Sequence, residues 1–193
     1  MHDPIKIFKD WLAAARVHPP GTDPTAMSLA TASKKGVPSA RIVLLKACDE
    51  RGFVFYTHLT SRKSKELKAN PYAALCFNWS WLGWQVRIEG KVVPVSGKEA
   101  DEYFNSRPLI SRLGAMASKQ SQPLDSRKTL MRKVESLAAQ YSDSHPPIRP
   151  AHWSGWRFVP TAIEFWQEGE FRLHDREVYT KKGSQWAKGR LYP

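Results

Sequence analysis

The spacing of hydrophobic and polar positions changes several times along the chain, and each change predicts a different element. Apolar residues recur three or four positions apart from Ile5 to Ala15, which predicts an amphipathic helix over residues 3–16 with Asp3 as its cap. Beyond the loop 18–25 come several β-like runs, separated by the turn-forming stretches KKG and DERG. This pattern predicts strands over 26–32, 39–47, 52–58, 72–79 and 84–95.

Four further segments have the period or the boundary residues of helices. Residues 61–69 predict a short helix that ends before Pro71, and Ser96 and Pro108 each predict the start of another. A fourth helix is predicted where apolar residues stand at 130, 134, 137 and 141. The loop 142–150 then leads into strand-like sequence that runs to the C-terminus.

Many short strands with a few connecting helices predict a mainly β, α+β fold: a barrel or sandwich with peripheral helices. No repeat, low-complexity tract or break in composition divides the chain, so a single domain is predicted over 1–193. Its parts are an N-terminal helix and loop (1–25), barrel strands (26–95), a helical segment (96–150) and C-terminal strands (151–193).

Composition narrows the class of protein. The 193 residues are 41% apolar and include 8 Trp and 8 Phe, enough for a substantial core. No apolar run approaches the roughly 20 residues of a membrane helix. The start of the chain has no secretory signal pattern, and the two cysteines fit neither a disulfide framework nor a metal site. A soluble, cytoplasmic protein without a metal is therefore expected.

The charge is strongly positive: 30 Lys and Arg against 18 Asp and Glu give +12. Such a chain attracts nucleic acid, phosphorylated metabolites or an acidic membrane surface, or it simply carries solvated surface charge. The position of the basic residues has to decide between these alternatives.

One basic cluster conflicts with helix electrostatics. If Ser61 caps the helix 61–69, Arg62 and Lys63 occupy its first turn, where the helix dipole disfavours cations, and the first carboxylate is Glu66. A bound phosphate would remove the conflict, because it accepts hydrogen bonds from the backbone and from both side chains. The alternative is a tolerated cluster of surface charge.

Three other stretches suggest anion binding more weakly. Alternation within RIVLLK sends Arg41 and Lys46 to opposite faces of a buried strand, unless both simply extend to solvent from its ends. In YFNSRPLIS, Tyr103 and Arg107 share a helical face and Ser111 follows, a set suited to a phosphate monoester but also to a surface Tyr–Arg pair. In SKQSQ, residues 120 and 121 offer neutral donors of a kind common in loops.

The stretch RLHDR places three nitrogen-rich side chains two residues apart. In an extended strand Arg172, His174 and Arg176 would project from one face, and like charges at that spacing repel unless an anion lies among them. The alternative is a solvated edge strand whose charges prevent aggregation. No catalytic triad, zinc-binding H-E-x-x-H, P-loop or G-x-G-x-x-G motif occurs, and His145 and His152 are interpreted as structural or solvent-facing.

Taken in order, these stretches resemble the pyridoxamine 5′-phosphate oxidase family of FMN-binding split-barrel flavoproteins. Each motif is weak alone and the ordered set, from about Asp3 to Pro193, is specific. The motifs are RIVLLK, FVFYTHLTSRKSKEL, NPYAALCFNW, GWQVRIEG, YFNSRPLISRLGA, SKQS, IEFWQ and RLHDR.

The resemblance implies a homodimer with FMN at the subunit interface and pyridoxine or pyridoxamine 5′-phosphate stacked on the flavin. It implies oxidation of that substrate to pyridoxal 5′-phosphate with O2 as acceptor and H2O2 as by-product, and neither nucleic acid nor membrane as a partner.

The resemblance also implies residue roles. Arg172 and His174 would be catalytic. The substrate would contact Lys46, Tyr103, Arg107, Ser111, Arg172 and His174. The FMN contacts, some donated by the second subunit, would be Arg41, Ile42, Val43, Leu44, Leu45, Lys46, Tyr56, Thr57, Arg62, Lys63, Gln85, Gln120, Ser121, Trp166 and Arg176.

Many relatives carry a longer N-terminal segment whose Arg and Tyr close over the substrate. The sequence here starts two residues before Asp3, so this lid is expected to be absent or truncated and water less well excluded. Two alternatives remain: a split-barrel flavin oxidase of the phenazine-pathway type acting on another ring, and a basic nucleic-acid-binding module. The predicted substrate contacts argue against the first, and the lack of a nucleic-acid-binding motif argues against the second.

Overall fold

Nine strands and five helices make up most of the chain in the computed structural model, which describes residues 3–17 and 19–193. The helices are α1 (Pro4–Ala15), α2 (Arg62–Ala69), α3 (Gly97–Asn105), α4 (Leu109–Ala117) and α5 (Arg127–Ala138). The strands are β1 (Ala26–Ala32), β2 (Pro38–Leu44), β3 (Ala47–Asp49), β4 (Gly52–His58), β5 (Tyr72–Trp79), β6 (Trp84–Pro94), β7 (Trp153–Gln167), β8 (Asp175–Lys182) and β9 (Gln185–Arg190). Of the predicted loop 18–25, only position 18 lies outside the described residues.

All strand pairings are antiparallel, in the order β2-β1-β5-β6-β7-β4-β3, with β8 and β9 added beside β7. The two ends of this order meet, because Lys46 N donates to Val54 O at 2.8 Å just after β2. The sheet therefore curls towards a barrel. Strand β7 is 15 residues long and pairs with β6 along most of its length, with β4 near its start and with β8 near its end.

The core lies inside the curled sheet and is covered by α1. Asp3 caps this helix as predicted: its Oδ1 accepts from the backbone N–H groups of Ile5 and Lys6. Phe8 is fully buried and packs edge-on against Phe53, with ring centroids 4.8 Å apart. The predicted strands 26–32, 52–58 and 72–79 are confirmed at both ends. No helix among the described residues is long and apolar enough to cross a membrane.

The predicted strand 39–47 is wrong as a single buried strand. It breaks between Leu44 and Ala47, and β2 lies at the edge of the sheet, where Ile42 is 64% exposed. The apolar run indicated burial, but no other part of the described chain covers this face. The break also ends the alternation that sent Arg41 and Lys46 to opposite faces, and both side chains line one cavity.

The predicted regular strand through RLHDR is also wrong. Glu170–Arg172 forms a single 3-10 turn, and β8 begins only at Asp175. Phe171 and Arg172 have φ values of 55° and 65°, which strands do not allow. The turn is closed by a hydrogen bond from Gly169 N to His174 Nδ1 at 3.2 Å. Arg172, His174 and Arg176 therefore do not share one strand face.

Gly90 lies at a β-bulge where β6 and β7 approach closely. The register shifts between Glu89 and Gly90, and a Cβ at Gly90 would stand 2.2 Å from Val159 O. We expect Gly90→Ala to lower the free energy of unfolding by about 1–3 kcal/mol, because the backbone of β7 has to move. Urea unfolding measures this. Gly97→Ala is the control, since a Cβ at that first position of α3 meets nothing within 4 Å, and an equal loss in both variants would contradict the explanation.

Candidate functional site

A cavity of about 800 Å³ opens where β2, β4, the start of α2, and the α3–α4 region meet. It gathers most of the residues that the sequence predicted. They are Arg41, Ile42, Val43, Leu44, Lys46, Tyr56, Thr57, Arg62, Lys63, Tyr103, Arg107, Ser111, Gln120 and Ser121. Its size falls within the range of roughly 300–1,000 Å³ that small-molecule sites occupy.

Lys63 is a buried cation without a carboxylate partner among the described residues. Its side chain is on the first turn of α2 and the residue is 7% exposed. Its Nζ donates to Thr57 Oγ1 at 3.0 Å and to Gln120 Oε1 at 2.8 Å, both neutral acceptors. Burial, with the nearby Arg41 guanidinium, lowers the pKa of Lys63 from 10.5 to about 8. An anion in the cavity would stabilise this charge.

The start of α2 adds donors beside Lys63. Ser61 is the N-cap residue, but its hydroxyl donates to His58 O at 2.7 Å, so the predicted side-chain cap is absent. The first turn of α2 contains no acidic residue. Backbone N–H groups at a helix start, together with the helix dipole, favour an anion.

Glu66 fixes the two arginines at this end of the cavity. Its carboxylate lies 3.2 Å from Arg41 Nη2 and 2.8 Å from Arg62 Nε, and Ser39 donates to it at 2.6 Å. Burial opposes ionisation, but hydrogen bonds from Ser39, Thr31, Arg62 and Arg41 outweigh it and lower the pKa of Glu66 to about 2. Its single negative charge leaves the group of Arg41, Arg62 and Lys63 with an excess of positive charge.

Another part of the lining consists of aromatic rings and a second cation. Tyr56 and Tyr103 stack with centroids 4.0 Å apart, and Trp153 lies nearly parallel to Tyr56 at 5.4 Å. The Arg107 guanidinium lies 4.9 Å from the Trp153 ring centroid. Arg107 Nη1 is buried without a hydrogen-bond partner, and burial lowers the pKa of Arg107. This donor is available to an anion in the cavity.

Some predicted residues lie elsewhere. Leu45 is 5% exposed and packs in the core. Gln85, Trp166 and Arg176 form a row across β6, β7 and β8, since Gln85 pairs with Trp166 and Trp166 with Arg176. His174 packs on Trp166 with centroids 4.5 Å apart.

Arg176 and Arg172 differ in what they contact. The Arg176 Nε donates to Glu164 Oε1 at 2.8 Å, and its Nη1 donates to Tyr192 O at 2.9 Å. Arg172 is exposed on the 3-10 turn before β8. Together with Gln85, Trp166 and His174 they form a second group of predicted site residues, none of which lines the cavity.

Sequence reasoning missed Trp153, His58 and Glu66 as parts of this region. Trp153 and His58 line the cavity and face each other across the β4–β7 pair. Only Glu66 had a local signal, because it stands four residues after Arg62 on one helical face. His152, interpreted as structural or solvent-facing, stacks on His58 with centroids 5.3 Å apart.

The family models match along most of the chain. The model described as pyridoxamine 5′-phosphate oxidase matches residues 17–141, and the model of the pyridoxine 5′-phosphate oxidase C-terminal dimerisation region matches residues 153–193. The chain belongs to the pyridoxamine 5′-phosphate oxidase family. It is therefore an oxidoreductase, and the second match supports a homodimer.

Curated members of the pyridoxamine 5′-phosphate oxidase family align over nearly the full length. A pyridoxine/pyridoxamine 5′-phosphate oxidase of Granulibacter bethesdensis is 55% identical, with 99% of this chain and 91% of the relative covered. One of Rhodospirillum rubrum is also 55% identical, with coverage of 99% and 96%.

Solved structures confirm the split-barrel fold with peripheral helices. PhzG from Burkholderia lata, in complex with tetrahydrophenazine-1-carboxylic acid, superposes with a TM-score of 0.92 at 34% identity, covering 99% of this chain and 93% of that chain. A pyridoxamine 5′-phosphate oxidase-related, FMN-binding protein of Nostoc punctiforme gives 0.79 at 15% identity, with both chains covered completely, a likeness of fold alone.

His58 predicts a pH dependence of stability. Burial, followed by the charges of His152, Lys63 and Arg107, lowers its pKa from 6.5 to about 4. Between these values the unfolded state binds a proton that the folded state does not, so stability falls as the pH drops from 6.5 to 4. We expect His58→Asn to lose less stability than the unsubstituted protein between pH 7 and pH 5, as measured by urea midpoints.

The control for this variant is His145→Asn, at an exposed position in the loop 142–150. This variant should lose as much stability between pH 7 and pH 5 as the unsubstituted protein does. An equally steep loss in His58→Asn would exclude His58 as the source.

Proposed function

We propose that this protein oxidises pyridoxamine or pyridoxine 5′-phosphate to pyridoxal 5′-phosphate with bound FMN, O2 as electron acceptor and H2O2 as by-product. The observation that carries the proposal is the presence of two cations, Lys63 and Arg107, that line one cavity and pair with no carboxylate of the described residues. One suits the phosphate of FMN and the other the phosphate of the substrate. The names of the curated relatives support the same substrates.

The residues present fit FMN at the α2 side of the cavity. Arg41, Arg62 and Lys63 and the uncapped start of α2 would bind its phosphate, since they provide positive charge and N–H donors in one place. Thr57 and Gln120, which now accept from Lys63, lie close enough to contact the same ligand. When bound, FMN supplies a two-electron acceptor that O2 reoxidises.

The substrate would bind on the aromatic side. Arg107 and Tyr103, with Ser111 and Lys46, would hold the substrate phosphate by charged and neutral hydrogen bonds. This phosphate is remote from the carbon that reacts, so its binding energy positions that carbon without taking part in the chemistry.

The second group of predicted residues would complete the site of the other subunit. Trp153 and Trp166 stand at opposite ends of β7, and 13 residues at about 3.3 Å each separate them by roughly 40 Å along the strand. One small ligand does not reach both within a single chain. We therefore assign Gln85, Trp166 and Arg176 to the FMN, and Arg172 and His174 to the substrate ring, that the other subunit binds in a homodimer.

His174 and Arg172 would act next to the reacting carbon. The imidazole packs on Trp166 and accepts from Gly169 N through Nδ1, so Nε2 carries the proton and would orient the amine or hydroxyl of the substrate by donating a hydrogen bond to it. Arg172, on its exposed turn, would lie against the substrate ring.

A second candidate function is oxidation of a different ring, because the PhzG structure superposes over nearly the whole chain. The same cavity would then hold FMN and a ring carboxylate in place of a phosphate ester. The substrate preference separates the two functions directly.

The test of the proposed function uses the purified protein. An FMN absorbance spectrum, with H2O2 formed on addition of either B6 phosphate, supports the proposal. A flavin-loaded protein that oxidises neither phosphate but oxidises a dihydrophenazine carboxylate supports the alternative. A protein that binds no flavin contradicts both.

Lys63→Met should weaken FMN binding about 10- to 100-fold, because a charged hydrogen bond contributes roughly 1.5–3 kcal/mol. The apoprotein should not be destabilised, since the substitution removes a buried charge that lacks a carboxylate. Fluorescence titration with FMN and thermal unfolding of the apoprotein measure both effects.

Lys65→Met is the matched control, because it removes the same charge from an exposed position of the same helix. We expect its FMN affinity to stay within about 2-fold of the unsubstituted protein. Equal weakening in both variants would mean that overall charge, and not Lys63, attracts the flavin.

A further inference from the structure

Trp153 packs near two of the four residues proposed to bind the substrate phosphate, although its indole carries no charge of its own. The Arg107 guanidinium is 4.9 Å from the indole centroid, and the Tyr103 ring lies nearly parallel to the indole at 6.2 Å. Tyr103 and Arg107 are four residues apart at the end of α3 and just after it. Trp153 belongs to β7, so it joins the phosphate-binding residues to the sheet.

The position of Trp153 is fixed from several sides. The residue is 4% exposed, and Phe104 packs edge-on against its ring at 5.2 Å. Its backbone N donates to Pro150 O at 3.0 Å, and its carbonyl accepts from Arg149 Nη1 at 2.8 Å. A ring held in this way provides a rigid surface for the arginine side chain.

The contact with the Trp153 ring leaves the N–H donors of Arg107 free, whereas an ion pair would occupy them. Most buried arginines are held by carboxylates, which neutralise them and occupy their N–H donors. Among the described residues no carboxylate pairs with Arg107, and its Nη1 has no hydrogen-bond partner. An aromatic face attracts the cation while leaving its donors free, so no ion pair has to break before an anion binds.

We propose that Trp153 is a positioning residue for phosphate recognition: its ring holds Arg107, and through the stack Tyr103, open towards the cavity. The identity of the substrate in this inference rests on the proposed function. The preference of the site for a phosphate group does not. The chemical basis of the inference is the aromatic face of residue 153, and not merely the volume of the side chain.

The experiment compares variants that keep and remove this face. Trp153→Phe retains an aromatic ring, whereas Trp153→Met fills the space with a flexible side chain that has none. With FMN saturating, we expect Trp153→Met to raise KM for pyridoxamine 5′-phosphate roughly 10-fold and to change kcat by less than about 2-fold. Trp153→Phe should stay within about 3-fold in KM. Trp153→Leu is a second non-aromatic variant in case Trp153→Met does not fold.

Arg107→Ala provides the reference, with a KM increase of about 10- to 100-fold for the loss of a charged contact. If Trp153 acts through Arg107, Trp153→Met adds little to KM when Arg107 is already Ala. Trp79→Met controls for the loss of a buried tryptophan, because Trp79 is 1% exposed in the core and outside the cavity. It should leave KM unchanged.

Binding of inorganic phosphate to the FMN-loaded protein, followed by ³¹P NMR, separates this inference from the proposed function. If the protein oxidises neither B6 phosphate, but phosphate binding weakens in Trp153→Met and Arg107→Ala alike, the proposed function fails and the role of Trp153 stands. The inference would be overturned if the effects of the two substitutions on KM were additive, or if Met and Phe at position 153 had equal effects. It would also be overturned if phosphate did not bind, or if Trp153→Met left phosphate binding unchanged.

Discussion

The backbone pairing of β7 is the constraint on which the rest of the structure depends. This strand pairs with β6, β4 and β8, and it joins the closed part of the sheet to the C-terminal hairpin. Because the pairing is antiparallel and in fixed register, it also fixes which side chains meet at each end. Trp153 reaches the cavity at one end, and Trp166 lies beside His174 at the other. The proposed division of site residues between two subunits rests on the length of this one strand.

The ion pairs of the cavity determine which of its cations remain available to an anion. Glu66 neutralises part of the charge of Arg41 and Arg62 and keeps both side chains in place. Lys63 has only neutral acceptors, and Arg107 has an aromatic ring. Lys63 and Arg107 are therefore two buried cations of the cavity that no carboxylate of the described residues neutralises.

Local sequence patterns predicted much of the fold. The strands 26–32, 52–58 and 72–79 were predicted to the residue, because turn-forming or polar residues bound runs of strand-favouring residues. The prediction of a regular strand through Phe171 was wrong, because a positive φ at a non-glycine residue is imposed by the tertiary structure and cannot be recognised from the residue type. The prediction that β2 is buried was wrong, because an apolar run does not reveal whether another part of the same chain covers it.

The site was predictable where a local conflict existed. Arg62 and Lys63 at a helix start signalled an anion within a few residues of sequence, and the structure places both at the cavity. Trp153 lies about 50 residues from Tyr103 and Arg107, so only the folded sheet brings their side chains together. Local alternation wrongly placed Arg172, His174 and Arg176 on one strand face, and the roles that the family resemblance implies for them stay a prediction.

The buried, uncompensated ammonium of Lys63 links ligand occupancy to the lifetime of the fold. Desolvation of this group lowers the stability of the protein without a ligand, whereas an anion that enters the cavity would make a favourable contact with the same group. A ligand that binds only the folded state adds RT ln(1 + [L]/Kd) to its stability. If the ligand is the proposed FMN, the supply of flavin would raise the fraction of folded protein and with it the resistance of the protein to proteolysis.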